Sequence, residues 1–294
     1  MAGRKLVSVV IRTDGSEYLR ECLASLGYQE YPPWDLELVV VSSDPTLSAA
    51  GVLESHMNFR DWYGVRVLTV QPNAGLSLMR NLAIKESRGE IIVFIDHDEI
   101  APPHLIRTLV HTLTAFPEAA AVGGRYVGLL IGRDSLPFWC RMEQLGTWEP
   151  ARMEGGIQKV PDLPGGNVAI RRTAFLAYGL FDPRIKGAGD DRAWFMKATK
   201  MGATFLYNPD AWVWHIRQLE SLRGWRFLRS CIWYGWGLGR AARLSGEKLS
   251  VNYSLLSAAR YLAHGLFRMC RFGFGNALAE VSKLIGYILA RSCE

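Results

Sequence analysis

The chain opens with short apolar runs that each stop at a polar loop and pass into a stretch of helical spacing, and this alternation restricts the fold more than any other feature. Leu6–Ile11 reads LVSVVI and runs into Arg12-Thr13-Asp14-Gly15-Ser16. In Glu17–Leu26 the apolar positions Leu19, Cys22, Leu23 and Leu26 fall three and four apart, as on one helix face, with Ser16 placed to cap it. Pro32-Pro33 breaks the chain before LELVVV at Leu36–Val41, which ends at Ser42-Ser43-Asp44-Pro45. A helix near Leu47–Phe59, a strand at Val65–Val70, a helix at Leu76–Glu86 and the strand EIIVFI at Glu90–Ile95 follow. Apolar runs without polar alternation are strands buried on both faces. Strands alternating with helices build a parallel sheet with right-handed crossovers, so the expected class is α/β, a mostly parallel sheet flanked by helices. In such sheets ligands bind beyond the carboxyl ends of the strands, where Asp14, Asp44 and Asp96 stand.

Composition supports a folded chain: 49% hydrophobic and 21% charged residues are enough to form a core and exclude a disordered polymer. The five cysteines, Cys22, Cys140, Cys231, Cys270 and Cys293, are scattered and form no C-x-x-C, which points to reduced thiols in a cytoplasmic protein and away from a disulfide framework or zinc ribbon. The N-terminal residues lack the long apolar stretch of a signal peptide. The net charge of +6 is uneven: residues 1–216 carry −2 and residues 217–294 carry +8. Together with the loss of helical periodicity from about Phe138 to Phe181, this predicts a catalytic domain at 1–216 and a basic, aromatic-rich helical region at 217–294.

The residues with the clearest chemistry are Asp96-His97-Asp98-Glu99, directly after EIIVFI. Two carboxylates at i and i+2 past a strand end can reach one hard divalent cation such as Mg²⁺ or Mn²⁺, which in turn bridges to phosphates. The same residues also suit a solvated turn, with Glu99 a loop or cap residue. Gly189-Asp190-Asp191 reads by itself as an ordinary helix N-terminus, with a candidate base as the alternative.

The segment QPNAGLSLMRNLAIKESRGEIIVFIDHDEIAPPHLI, residues 71–106, resembles family-2 glycosyltransferases of the GT-A fold: Asn73, Gly75, Arg80 and Asn81 match an N-x-G-x-x-x-x-R-N element that precedes the strand carrying D-x-D. VSVVIRTDGSEYLRECLASL is similar to the family's first strand and helix, and residues 165–216 to its acceptor-side half, so the resemblance covers about three quarters of the chain. It implies a donor half at about 1–100 and an acceptor half at about 101–216. It also implies transfer of a sugar from a nucleotide-sugar to an acceptor hydroxyl, in polysaccharide or glycoconjugate assembly.

Carried over residue by residue, the resemblance places Thr13, Asp14 and Asp44 near the nucleobase and ribose, although Ser42 and Ser43 stand where the family usually has acids. Asn73, Gly75 and Arg80 fall near the donor diphosphate or sugar, and Asp96 near the ribose or metal. Asp98 becomes the metal ligand, joined by His215 at the end of AWVW; a lone His also serves as a structural hydrogen-bonder. Asp191, the second acid of the family's pair, becomes the catalytic base beside Asp190. Gly165, Gly166, Asn167 and Trp194 line the acceptor side. One base and one metal imply single displacement with inversion, since a retaining route needs a further nucleophilic carboxylate.

Gly237-Leu238-Gly239-Arg240-Ala241-Ala242 fits a dinucleotide fingerprint by letter only, because no apolar strand precedes it. Residues 219–243 interleave Arg223, Arg226, Arg229, Arg240 and Arg243 with Trp225, Phe227, Trp233, Tyr234 and Trp236, and residues 254–290 hold apolar runs broken by Arg260, His264, Arg268, Arg271 and Lys283. Such helices suit an anionic membrane surface at its cytoplasmic face, a lipid-linked acceptor, or plain packing on the catalytic domain; no nucleic-acid motif is visible. A nucleotidyltransferase and an inactive nucleotide-sugar-binding scaffold are the competing functions. The sequence carries no information on oligomeric state.

Overall fold

A computed structural model describes residues 5–55, 57–131, 155–218 and 224–244, with residues 281, 282, 284–286, 288 and 289 near the C-terminus. Strands β1 (Val7–Thr13), β2 (Leu36–Ser42), β3 (Gly64–Thr69) and β4 (Ile91–Asp96) alternate with helices α1 (Leu19–Leu26), α2 (Ala49–Ser55) and α3 (Leu76–Glu86). Then come β5 (Glu99–Ile100), α4 (Leu105–Ala115), β6 (Ala119–Ile131), β7 (Gln158–Val160), β8 (Val168–Arg171), α5 (Arg172–Tyr178), α6 (Asp190–Lys200), β9 (Thr204–Gln218) and α7 (Gly224–Leu244). The sheet runs β3-β2-β1-β4-β8-β6-β9-β5, with β7 on β9. The long ladders, β1 with β2 and β4, β2 with β3, and β6 with β9, are parallel. The antiparallel ones, through β8, β5 and β7, are short.

Period-2 alternation divides the strand side chains between two cores. Val7, Val9, Ile11, Leu38 and Val93 face one side under α1 and α4. Val10, Val39, Ile92 and Phe94 face the other, under α3 (Met79, Ala83, Ile84), α5 and α6. The elements expected up to β4 are present, and α3 has the expected bounds. Ser16 does not cap α1: its hydroxyl accepts the Tyr18 N–H at 3.3 Å in a turn, and Tyr18 holds the cap position without a side-chain bond.

β9 crosses residue 216, and α7 packs on α6. The pseudo-fingerprint at 237–242 lies inside α7, with no strand before it. Cys140, Cys270 and Cys293 and the apolar runs of 254–280 lie outside the described residues. No helix among the described residues is long and apolar enough to cross a membrane.

Candidate active site

The site is built where β1, β2 and β4 end side by side. Thr13 pairs with Ser42 in the sheet, and Arg12 with Asp96, so the loops after these strands open at one edge. A cavity of about 440 Å³ there is lined by Asp14, Ser16, Glu17, Tyr18, His97, Asp98, Ile216 and Arg217. A second, of about 310 Å³, lies between α1 and α2 and reaches Asp44 and Gly15.

Asp98 faces His215 because β5 pairs with β9, placing Glu99 opposite His215, while the Ile216 N–H donates to the Asp98 carbonyl at 2.8 Å. His215 Nε2 lies 3.4 Å from Asp98 Oδ2. Burial works to raise the Asp98 pKa, but the hydrogen bond and charge of His215, with His97 and Arg217, hold it at about 2. A carboxylate kept ionised beside an imidazole, on the wall of this cavity, is a donor set that suits Mn²⁺ or Mg²⁺. Asp96 stands beside this pair, with one carboxylate oxygen engaged. Its Oδ1 accepts a 2.8 Å bond from Arg12, and among the described residues no three His, Cys, Asp or Glu side chains converge as a closed metal cage.

Glu99, expected as a loop or cap residue, is fully buried under this pair. Its Oε2 accepts the backbone N–H of Asp96 at 3.1 Å and of Asn167 at 3.4 Å. Burial, and then the charges of Asp96 and Asp98, push its pKa well up, while its two backbone hydrogen bonds tie it to the loop.

The N-x-G-x-x-x-x-R-N element faces the other acid pair. Arg80, 2% exposed, donates from Nη1 to Asp190 and from Nη2 to the Gly165 carbonyl at 3.1 Å. Asn81 exchanges bonds with the backbone of Phe181 at 2.8 and 3.0 Å. A Cβ on Gly75 would lie 2.7 Å from Lys186 Cα, and Ser77 donates to the Ile185 carbonyl at 2.7 Å. Asn73 is exposed with φ +66°, a turn conformation Asn tolerates. The expectation that Gly75 and Arg80 meet the donor is thus corrected: both fix the segment leading to Asp190 and Asp191, and a buried guanidinium already held by a carboxylate is not open to a diphosphate, while Asn73 stays exposed at the turn before α3.

Asp190 is consumed by Arg80, which leaves Asp191 as the second acid. Asp191 accepts the Gly165 N–H at 2.8 Å and the Arg192 N–H at 2.7 Å. Burial and then the Asp190 charge raise its pKa, while Arg80 opposes them. Two expected acceptor contacts are corrected. Trp194 is 2% exposed among Phe175, Phe181 and Phe205, its indole N–H donating to the Gly179 carbonyl at 2.7 Å. Asn167 is fully buried and donates to the carbonyls of Ala211 at 2.8 Å and Arg125 at 3.2 Å. Gly165 and Gly166 remain between the acid centres. On the nucleoside side Asp14 is exposed at the cavity. Thr13 Oγ1 accepts the Gly15 N–H at 3.1 Å, and Asp44 is held by Thr46 through N–H and hydroxyl bonds of 2.8 and 2.7 Å.

Sequence reasoning missed Arg217. It stands two residues past His215 on β9, hence on the same strand face, and lines the larger cavity. Its Nε is buried with no hydrogen-bond partner among the described residues. The period of the strand would have found it.

The model of the family described as glycosyl transferase family 2 matches residues 8–179. The glucosyl-dolichyl phosphate glucuronosyltransferase of Haloferax volcanii is 27% identical over 290 residues, 95% of this chain and 90% of the relative. Among solved structures, the mannosyltransferase PcManGT from Pyrobaculum calidifontis, in complex with GDP-Man and Mn²⁺, superposes with a TM-score of 0.62 at 18% identity over 98% of this chain and 88% of that one. Staphylococcus aureus TarS 1–349, in complex with UDP, gives 0.55 at 17% identity over 94% and 90%. These two likenesses show a shared GT-A fold. With the family model covering more than half of the sequence, the chain belongs to glycosyl transferase family 2 and is a glycosyltransferase.

Proposed function

We propose that the chain moves a sugar from a nucleoside-diphosphate donor to the hydroxyl of a lipid-linked acceptor, with inversion, in the assembly of a polysaccharide or glycoconjugate. The observation that carries the proposal is the span of two consecutive glycines. The Gly165 N–H binds Asp191, and a Cβ on Gly166 would lie 3.0 Å from Asp96 Oδ2, so the backbone at 165–166 joins the D-x-D loop to the base with no side chain between. The two centres that sugar transfer needs, one for a diphosphate and one for a hydroxyl proton, share a wall.

In this reading the catalytic domain, expected at 1–216, extends to the end of β9 at Gln218. Asp14 and Asp44 face the nucleoside, and Arg217 offers its fork to the diphosphate. Asp98 and His215 hold Mn²⁺ or Mg²⁺, which when bound neutralises charge on the departing diphosphate. Asp191 takes the acceptor proton as the hydroxyl oxygen bonds to the anomeric carbon and the bond from that carbon to the diphosphate oxygen breaks. Arg80 holds Asp190 in place beneath it through their buried ion pair. The lipid-linked acceptor is supported by the +8 charge of residues 217–294 and by the name of the archaeal relative, and it puts the chain at the cytoplasmic face of an anionic membrane.

The test is a thermal-shift screen of nucleotide-sugars with Mn²⁺, followed by transfer assays. A true donor raises the melting temperature by mass action and turns over only when an acceptor is supplied. Stabilisation without turnover would reduce the chain to a scaffold, and pyrophosphate release from a nucleoside triphosphate and a sugar phosphate would make it a nucleotidyltransferase.

A further inference from the structure

The loop 182–189, which leads into Asp190 and Asp191, is gripped from two sides. α3 holds one side through Ser77 and through the Leu76 N–H, which donates to the Lys186 carbonyl at 3.0 Å. α7 holds the other. Arg240 Nη2 donates to the Arg184 carbonyl at 3.1 Å, and a Cβ on Gly237 would lie 2.9 Å from Ala188 Cβ. Ile185 packs with Ala193 of α6 and Ala241 of α7. On this fixed loop the indole edge of Trp233 rests against Gly187, where a Cβ would lie 3.0 Å from Cζ2, and yet Trp233 is 50% exposed.

The surroundings of that indole are cationic and then apolar. Arg226, Arg229 and Trp233 are exposed at i, i+3 and i+7, one face of α7, and the helix contains no acid. Lys186, next to Gly187, is exposed on the loop. The helical residues near the C-terminus pack on α7 at Gly286, where a Cβ would lie 2.8 Å from the Trp236 nitrogen. They leave Val281, Ile285, Ile288 and Leu289 exposed at i, i+4, i+7 and i+8.

We propose that this surface of α7 receives the acceptor: its sugar stacks on Trp233, its phosphate sits against Arg229 one turn away, and its lipid lies along the apolar face that includes Ile285 and Leu289. The occupant is a glycosyl polyprenyl phosphate embedded in a membrane. A soluble oligosaccharide would use the indole and leave the apolar face without a partner. A plain anionic bilayer would use the cations and the apolar face but has no need of an aromatic ring against the base loop. A sugar, a phosphate and a lipid in one molecule use all three, and the rigid loop places the sugar end beside Asp191. This proposal rests on the function proposed above, transfer from a nucleoside-diphosphate donor to a lipid-linked acceptor.

The test is sedimentation of the full chain with phosphatidylcholine vesicles doped with monoglycosyl polyprenyl phosphates (glucosyl, galactosyl, mannosyl and N-acetylglucosaminyl) or with an equal charge of phosphatidylglycerol. At least one glycosyl phosphate should bind about tenfold more tightly than phosphatidylglycerol. Trp233→Ala should remove that preference, and Arg229→Gln should weaken binding to both vesicle types. Trp233→Leu, which keeps an apolar contact on Gly187, should lose the preference as well, so that loss of the ring is separated from loss of packing. UDP and GDP affinity with Mn²⁺ should remain within about twofold in every variant. Equal binding of the wild-type chain to both vesicle types, or a preference that survives Trp233→Leu, overturns the proposal. Wild-type chain that binds neither UDP nor GDP defeats instead the donor reading on which it rests.

Discussion

Arg80 and Asp190, 110 residues apart in sequence, form an ion pair whose side chains are 2% and 3% exposed. Removing one partner of such a pair leaves an uncompensated buried charge, so Arg80→Gln should lower stability by about 3–5 kcal/mol. Arg80→Gln combined with Asp190→Asn should recover a large part of that loss, as coupled sites do. Nucleoside diphosphate affinity of the folded Arg80→Lys protein should stay within about threefold of wild type. A collapse of that affinity would return Arg80 to the donor.

Asp191→Asn should lower kcat by about 10²–10⁴-fold with donor affinity nearly unchanged, the usual worth of a positioned base. Because burial and Asp190 raise the Asp191 pKa, kcat should fall on the acid side as Asp191 takes up its proton. Arg80 pulls that pKa down, so Arg80→Lys, with its less well placed charge, should move the acid limb to higher pH. An unmoved limb in a folded variant would assign it to another group.

A chelator should abolish transfer, and Mn²⁺ or Mg²⁺ should restore it. Asp98→Asn should weaken nucleoside diphosphate binding in the presence of Mn²⁺ and have little effect in its absence, read by calorimetry. Arg217→Ala should weaken nucleoside diphosphates about tenfold more than the nucleoside monophosphates. Equal losses for both would take Arg217 off the diphosphate.

Glu37 is buried at the start of β2 and accepts hydrogen bonds from Ser8, Arg66 and the backbone N–H of Arg88 and Gly89. Burial raises its pKa, but these bonds outweigh burial and leave it lowered. A carboxylate lowered by folding adds stability above its unfolded pKa of about 4.3 and loses it as pH falls through the folded value. Glu37→Gln should therefore cost stability at pH 7 and flatten the acid limb of a urea-melt series.

The parallel half of the fold was legible because LVSVVI, LELVVV and EIIVFI are buried on both faces, and nothing else reads so uniformly. Asp98 and His215 were legible as a pair only through the family resemblance. Their meeting depends on the two-residue strand β5, too short to leave a period. Trp194 and Asn167 were misassigned because motif proximity does not reveal orientation: α6 turns Asp191 to the site and Trp194, three residues on, into the core. Arg80 was misassigned for a related reason, since a guanidinium that suits phosphate suits a carboxylate equally, and only the tertiary fold brings Asp190 to it.

The bonds from Ser77, Arg80 and Asn81 to Ile185, Asp190 and Phe181 bear on how such enzymes can be recombined. A chimera that takes its first hundred residues from one parent and the remainder from another keeps both motifs intact as text and still forces every one of these contacts to form between segments of different parentage. Residues 73–81 and 181–191 form one heritable unit. Grafting a new acceptor preference should therefore succeed when the two segments travel together and produce a poorly folded or inactive hybrid when they are parted.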